Sequence, residues 1–238
     1  MLENIMIENI LFLDIETVPA HPDYTSLDQR MSKLWDKKCE RIRQNETDTP
    51  ESLYGRAGIY AEFGKVICIS VGSIRKDEFR IKSYAGDDEP TLLAGFAGLL
   101  TAHFNRQEHM LCAHNGKEFD FPFMARRMLV NGIKVPSILD LAGKKPWEVN
   151  HLDTMELWKF GDFKNYTSLE LLAAIFDIPT PKDDIDGSMV GEVYWHDHEL
   201  KRIVSYCCKD VLTVVQIFRR YRGEPLIPEE KVIITDLG

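Results

Sequence analysis

The sequence predicts an α/β chain in which a mixed five-stranded sheet is flanked by helices. Three observations predict it. A strongly apolar run from Asn9 to Thr17 opens the pattern. Two strand-like runs, Lys65 to Gly72 and Glu78 to Tyr84, follow with a short link, Ser73 to Asp77, that suits an antiparallel hairpin. Helical and strand patterns then alternate toward the end of the chain. Neither an internal repeat nor a low-complexity linker interrupts the 238 residues, so one domain spanning 1–238 fits better than two.

The elements follow in order. Pro19 and Pro22 break the first extended run, and residues 20–62 read as a helical insertion between strands one and two. Within it, Leu27, Met31, Leu34, Trp35 and Ile42 recur at helical spacing, and a second short helix is expected over Tyr54 to Phe63. The first helix of the insertion carries Arg30, Lys33, Lys37, Lys38, Arg41 and Arg43, the densest basic stretch of the chain. It reads as a solvated face, with contact to substrate phosphates as the sharper alternative. Asp87-Asp88-Glu89-Pro90 starts a helix, with acidic residues and an early proline where the dipole and the missing N–H favour them. Met110 to Asn115 is a fourth strand. It turns at Gly116 into a helix over Phe119 to Val130, stopped by Asn131-Gly132. His151 to Met155 is a short fifth strand, Thr167-Ser168 caps another helix, and the last long helix runs from about Asp197 to Arg222.

Composition narrows the function classes. With 44% hydrophobic and 28% charged residues the chain is ordinary globular material. No apolar stretch approaches the ~20 residues of a membrane helix, and Met1-Leu2-Glu3-Asn4 lacks the basic start of a secretory signal. Five cysteines without zinc spacing read as reduced core residues, which points to the cytoplasm. A net charge of −9 argues against a non-specific duplex coat protein.

Three segments carry chemistry. In a strand, residues i and i+2 share a face, so Asp14 and Glu16 project together from the end of an apolar strand. Two buried like charges cost several kcal/mol unless a cation sits between them, and the simplest such cation is a divalent metal. The second segment is Asn115-Gly116-Lys117-Glu118-Phe119-Asp120, where a strand ends, a turn follows and a carboxylate opens a helix. The third is Tyr206 to Asp210, whose i, i+4 spacing puts phenol and carboxylate on one helix face. All-oxygen ligation of this kind suits two divalent cations, Mg²⁺ or Mn²⁺.

Asp14-x-Glu16, Asn115-x3-Phe119-Asp120 and Tyr206-x3-Asp210 resemble, in order, the three motifs of the DEDD 3′–5′ exonucleases, members of the DnaQ-like, ribonuclease H-like superfamily. The tyrosine marks the DEDDy branch; a histidine-type motif needs His at position 205, which is Ser. The chain is most similar to stand-alone bacterial exonucleases related to the proofreading domain of family B DNA polymerases, also over Tyr60 to Lys65 and Lys182 to Ser188. The resemblance implies that Asp14, Glu16, Asp120 and Asp210 hold two metals, with Asp14 bridging them. It implies that Tyr206 orients the attacking water, and that Thr17, Asn115, Phe119 and Lys117 contact the substrate. It implies hydrolysis from a single-stranded 3′ end, DNA before RNA, releasing nucleoside 5′-monophosphates. An RNA- or oligonucleotide-specific enzyme of the same fold and a catalytically silent nucleic-acid-binding module are the alternatives.

Other residues take plainer readings. Phe119 divides evenly between core and site. Asp153-Thr154 is expected to support the site. Asp184-x-Asp186-Gly187 reads as a turn, His196 and His198 as a solvated pair, and Arg126-Arg127 and Arg219-Arg220-Arg222 as solvated helix faces.

Overall fold

The computed structural model describes residues 2–162, 166–179 and 185–235. Its strands are β1 (Ile10–Pro19), β2 (Gly64–Arg75), β3 (Glu78–Ala85), β4 (Met110–Ala113), β5 (Leu152–Asp153) and β6 (Val232–Thr235). They form a mixed six-stranded sheet in the order β5-β4-β1-β2-β3-β6. β1 and β2, and β2 and β3, pair antiparallel, while β1–β4, β4–β5 and β3–β6 are parallel. The five-stranded expectation is corrected by β6. Its β-branched run Val232-Ile233-Ile234 docks on Phe79 to Ile81 and extends the edge.

The helices are α1 (Gln29–Ile42), α2 (Glu89–His103), α3 (Asp120–Val130), α4 (Thr154–Lys159), α5 (Leu169–Ile175), α6 (Val190–Glu192) and α7 (Leu200–Tyr221). A π-helical turn, Val193–Asp197, continues α6. The second helix expected in the insertion is a 3-10 segment, Tyr54–Ile59. The β2–β3 hairpin turns at Lys76 and Asp77, both at positive φ. This is the two-residue geometry that matches strand twist.

β1 is buried on both faces, and the alternation of its side chains assigns each face a partner. Leu11, Leu13 and Ile15 pack with α2 and α3 through Leu93, Phe96, Phe121 and Met124. Ile10 and Phe12 pack with α7 through Val211, Val215 and Phe218. Asp14 and Glu16 continue the second series, so they face α7. The insertion has its own apolar cluster. Trp35 sits edge-on to Tyr54 and Phe63, with ring centroids 5.6 and 5.1 Å away, and its indole N–H donates to the Pro50 carbonyl at 2.8 Å. Asp28 caps α1 by accepting from the Arg30 and Met31 amides.

One buried histidine ties the sheet to the loop after α3. His151 Nδ1 accepts from the Leu111 amide at 3.2 Å, and Nε2 lies 2.8 Å from the Ile138 carbonyl. Burial first, then nearby lysines, push its pKa down to about 4. Below pH ~6.5 the unfolded chain takes up a proton that the folded chain refuses, so this contribution is present above ~6.5 and lost as pH falls toward 4. Between pH 7 and 5 the loss is about 2 kcal/mol. Urea unfolding at the two pH values should show it, and His151→Gln should flatten the difference. An equal pH dependence in that variant would assign the effect to other groups.

Candidate active site

The carboxylates meet at the carboxyl end of β1, between that strand and α7. A β-bulge interrupts the β1–β2 register between Glu16 and Thr17, so Glu16 opposes Cys68 while Thr17 opposes Val66. Bulges of this kind redirect side chains at a strand end. The Cys207 thiol on α7 donates toward Asp14 Oδ2 and the Asp14 carbonyl, each at 3.4 Å. Ligand atoms of Asp14, Glu16 and Cys207 lie within 4.8 Å of one another. Asp120 opens α3 and accepts from the Ile15 amide, which brings it to the same strand end. The Tyr206 hydroxyl donates to Asp210.

The electrostatics are those of crowded like charges. Burial, then Glu16, Asp210 and Asp120, raise the Asp14 pKa well above the carboxylate range. Burial, then Asp210, Cys68 and Asp120, do the same to Glu16. Asp120 rises to about 7, chiefly through burial. The charges that raise Asp14 and Glu16 include their fellow carboxylates Asp210 and Asp120 in both cases. Buried carboxylate oxygens that raise one another's pKa fit a hard divalent ion.

The turn between β4 and α3 is held from beneath by Asp153. Its Oδ1 accepts from the Asn115 amide at 2.9 Å and the Met155 amide at 3.0 Å, and its Oδ2 accepts from the Lys117 amide at 3.1 Å. It therefore caps α4 and fixes the turn with one carboxylate. Asn115 adopts φ +63°, and a Cβ at Gly116 would meet Ala113 Cβ at 2.4 Å. Gly is required there by close approach. Replacing Asp153 by Ala strands buried amides and removes a cap, with an expected cost of about 2–4 kcal/mol. Chemical unfolding measures it. A loss below the cap's share alone would show that the turn does not depend on Asp153.

A family of predicted 3′–5′ exonucleases related to the exonuclease domain of PolB matches residues 59–224, which include Asp120, Tyr206 and Asp210. The chain belongs to this family. Among solved structures, it is similar to the family B DNA polymerase from the hyperthermophilic archaeon Pyrobaculum calidifontis. The TM-score is 0.56 at 14% identity, covering 89% of this chain and 24% of the polymerase. That likeness shows the fold, which is α/β and ribonuclease H-like, and the chain spans about a quarter of the polymerase's length. No individually curated protein matches the chain.

In this exonuclease-family chain, Asp14, Glu16, Asp120, Tyr206 and Asp210 come together. The four residues expected to contact substrate divide between two depressions. Thr17 and Phe119 line a groove of about 670 Å³ that also contains Glu16, Arg56, Trp195 and His196. Asn115 and Lys117 line a neighbouring apolar cavity of about 790 Å³ with Phe121, Leu139 and Met155. Lys117 is paired there with Glu156. Phe119 is both core and groove: its ring centroid is 5.4 Å from that of Phe123, and the side chain stays partly exposed.

Several plain readings change. Arg127 is not a solvated face; it forms a buried pair with Glu89 at 2.6 Å, while Arg126 stays exposed. Arg219 and Arg222 pair with Glu224. His196 and His198 are exposed, as expected, and His196 also lines the groove. Trp195, which the sequence reading passed over, donates to the Pro19 carbonyl at 3.1 Å; its signal was an indole flanked by Tyr194 and His196. Cys207 was read only as core. Asp184 lies outside the described residues, and Asp186 accepts from the Ser188 amide in a local turn. Among the described residues no helix is long and apolar enough to cross a membrane.

Proposed function

We propose that this chain hydrolyses single-stranded nucleic acid from its 3′ end, DNA in preference to RNA, and releases nucleoside 5′-monophosphates. The observation that carries the reading is the convergence of Asp14, Glu16, Asp120 and Asp210, in which every charge raising Asp14 is another carboxylate. These four residues would hold two divalent cations, Mg²⁺ or Mn²⁺. Bound there, the cations supply a lowered pKa for water and charge stabilisation of the phosphodiester. The preference for DNA rests on the family's relation to a DNA polymerase domain.

The chain's own groups do the rest. Burial, then Asp210, Glu16 and Asp14, push the Tyr206 hydroxyl above its usual range, so it keeps its proton at neutral pH. With its proton held toward Asp210, its oxygen accepts from the incoming water and so orients it, and the phenol does not act as a base. Phe119 and Thr17 sit where a terminal nucleotide in the groove would contact them, and stacking on Phe119 is tolerant of base identity. Water oxygen bonds to phosphorus, and the bond from phosphorus to the 3′ oxygen of the preceding nucleotide breaks. The proton lost by the water passes to solvent and the departing 3′ oxygen takes one up from solvent, so one bond is made, one is broken and the protons balance. The reading takes the chain as one exonuclease domain.

The test is a gel assay on 5′-labelled single-stranded DNA and matched RNA with Mg²⁺, Mn²⁺ or EDTA. A metal-dependent ladder shortening from the 3′ end, absent from Asp14→Ala and Asp210→Ala, is the expected result. No cleavage of either strand with either metal sinks the proposal.

A further inference from the structure

The exposed face of α1 has no role in the chemistry above, yet it belongs to the densest basic stretch of an acidic chain. Arg30, Lys33, Lys37 and Arg41 succeed one another at i, i+3, i+7 and i+11 and so form one stripe along the helix. The opposite stripe, Trp35 and Cys39 with Met31 and Ile42, is the one that packs on the insertion's cluster. The four cations are therefore aimed away from the core, and all four are exposed. Among the described residues, no ion pair takes up any of them. Of the acids on α1, Asp36 accepts from the Tyr24 hydroxyl at 2.8 Å, and only Glu40 borders the stripe. A stripe meant merely for solubility would be expected to mix both signs at this density.

The helix that carries the stripe packs, by its other face, on the insertion segment that lines the groove. Gly55, Arg56, Gly58 and Ile59 of the insertion line the groove together with Phe119. A Cβ at Gly58 would lie 3.0 Å from the Val18 carbonyl carbon, so this wall is seated directly on the end of β1. The same 3-10 segment carries Tyr54, against which Trp35 of α1 packs. Arg56 is exposed at the groove, and Lys38 of α1 lies 3.8 Å over the ring of Tyr60, the residue after Ile59. Each i+4 step on α1 advances about 6 Å, between one and two phosphate intervals of a strand that rises about 3.4 Å per nucleotide when stacked.

We infer that α1 is a phosphate track: Lys33, Lys37 and Arg41, with Arg30, hold the part of the nucleic-acid strand that lies outside the groove. The inference rests on the exonuclease reading and adds a second, sequence-independent contact surface to it. Its role is to make long strands better ligands than short ones, in a chain whose net charge otherwise repels them.

The experiment compares wild type with the triple variants K33E/K37E/R41E and K33Q/K37Q/R41Q. Fluorescence anisotropy in EDTA, which leaves the strand intact, gives affinity for a 30-nucleotide DNA strand and a tetranucleotide over a range of salt. Far-ultraviolet circular dichroism and thermal melting confirm that the variants fold. Wild type should bind the long strand more tightly than the short one. The variants should lose that difference, and the slope of log affinity against log salt should shrink by about 2, from about 0.7 per phosphate contact. Unchanged slope and length preference in both variants overturn the inference and leave the exonuclease reading intact. A wild type that cleaves no strand in the metal assay removes the reading on which it rests.

Discussion

Asp14→Asn is expected to lower 3′-end cleavage by about 10³-fold while making the metal-free protein more stable. The first effect follows from losing the carboxylate at the centre of the cluster; several kcal/mol of transition-state stabilisation, at 1.36 kcal/mol per tenfold, gives that factor. The second follows from the charges around it. Burial and three other carboxylates, Glu16, Asp210 and Asp120, all disfavour ionised Asp14 in the folded chain. A neutral amide of the same shape relieves that repulsion. A gain of about 1–2 kcal/mol, or about 3–6 °C in midpoint at this chain length, is the expected size. Mg²⁺ should reverse the order, because an ion that binds only the folded state stabilises wild type more than the variant. Calorimetry in EDTA and in Mg²⁺ tests the pair of effects. A variant less stable than wild type in EDTA would mean that Asp14 is held by favourable contacts, and the metal reading would lose its electrostatic support.

Arg127→Ala is expected to cost about 3–5 kcal/mol, the effect of leaving one partner of a buried ion pair alone. Glu89 Oε1 accepts from the Val66 amide at 2.8 Å and from Arg127 Nε at 2.9 Å. Its Oε2 accepts from Arg127 Nη2 at 2.6 Å and Asn131 Nδ2 at 3.0 Å. Arg127 Nη1 donates to the Ala61 carbonyl at 2.9 Å. One pair thus joins α2, α3, β2 and the end of the insertion. Side-chain exposures of 11% and 6% leave water little chance to replace it. The double variant Glu89→Met/Arg127→Met should recover part of the loss, less the ~1–3 kcal/mol for the unpaired Val66 amide. Urea unfolding reads both. A single variant within 1 kcal/mol of wild type would show that the pair contributes nothing net.

What was legible in the sequence was what is local. Phe12 and Asp14 alternate with Leu13 and Ile15, so the strand's two faces, and the shared face of Asp14 and Glu16, could be read from neighbouring letters. The Tyr206 and Asp210 spacing is likewise a property of one helix. Ser168 as a cap and Asn131-Gly132 as a stop were readable for the same reason. What escaped depends on distant partners. Arg127 looks like any exposed arginine until Glu89, 38 residues earlier, is folded against it. Asp153 could be read as support, but the two turn amides it holds, Lys117 and Asn115, lie 36 and 38 residues away. β6 is four residues whose strand character comes from lying beside β3. Lys117 and Asn115 share a motif with Phe119, yet the turn at Gly116 sends them into a different cavity.

The helix that carries Tyr206 and Asp210 also supplies Val204, Val211, Val214, Val215 and Phe218 to the core on that side of the sheet. Those two groups cannot shift without unpacking the layer beneath them. On the proposed reaction the moving part is then the nucleic acid: the catalytic groups wait in place, and a 3′ end must leave its own stack to reach them. Discrimination among ends becomes a matter of how readily each one frays, set by the strand's flexibility more than by any closing motion of the protein.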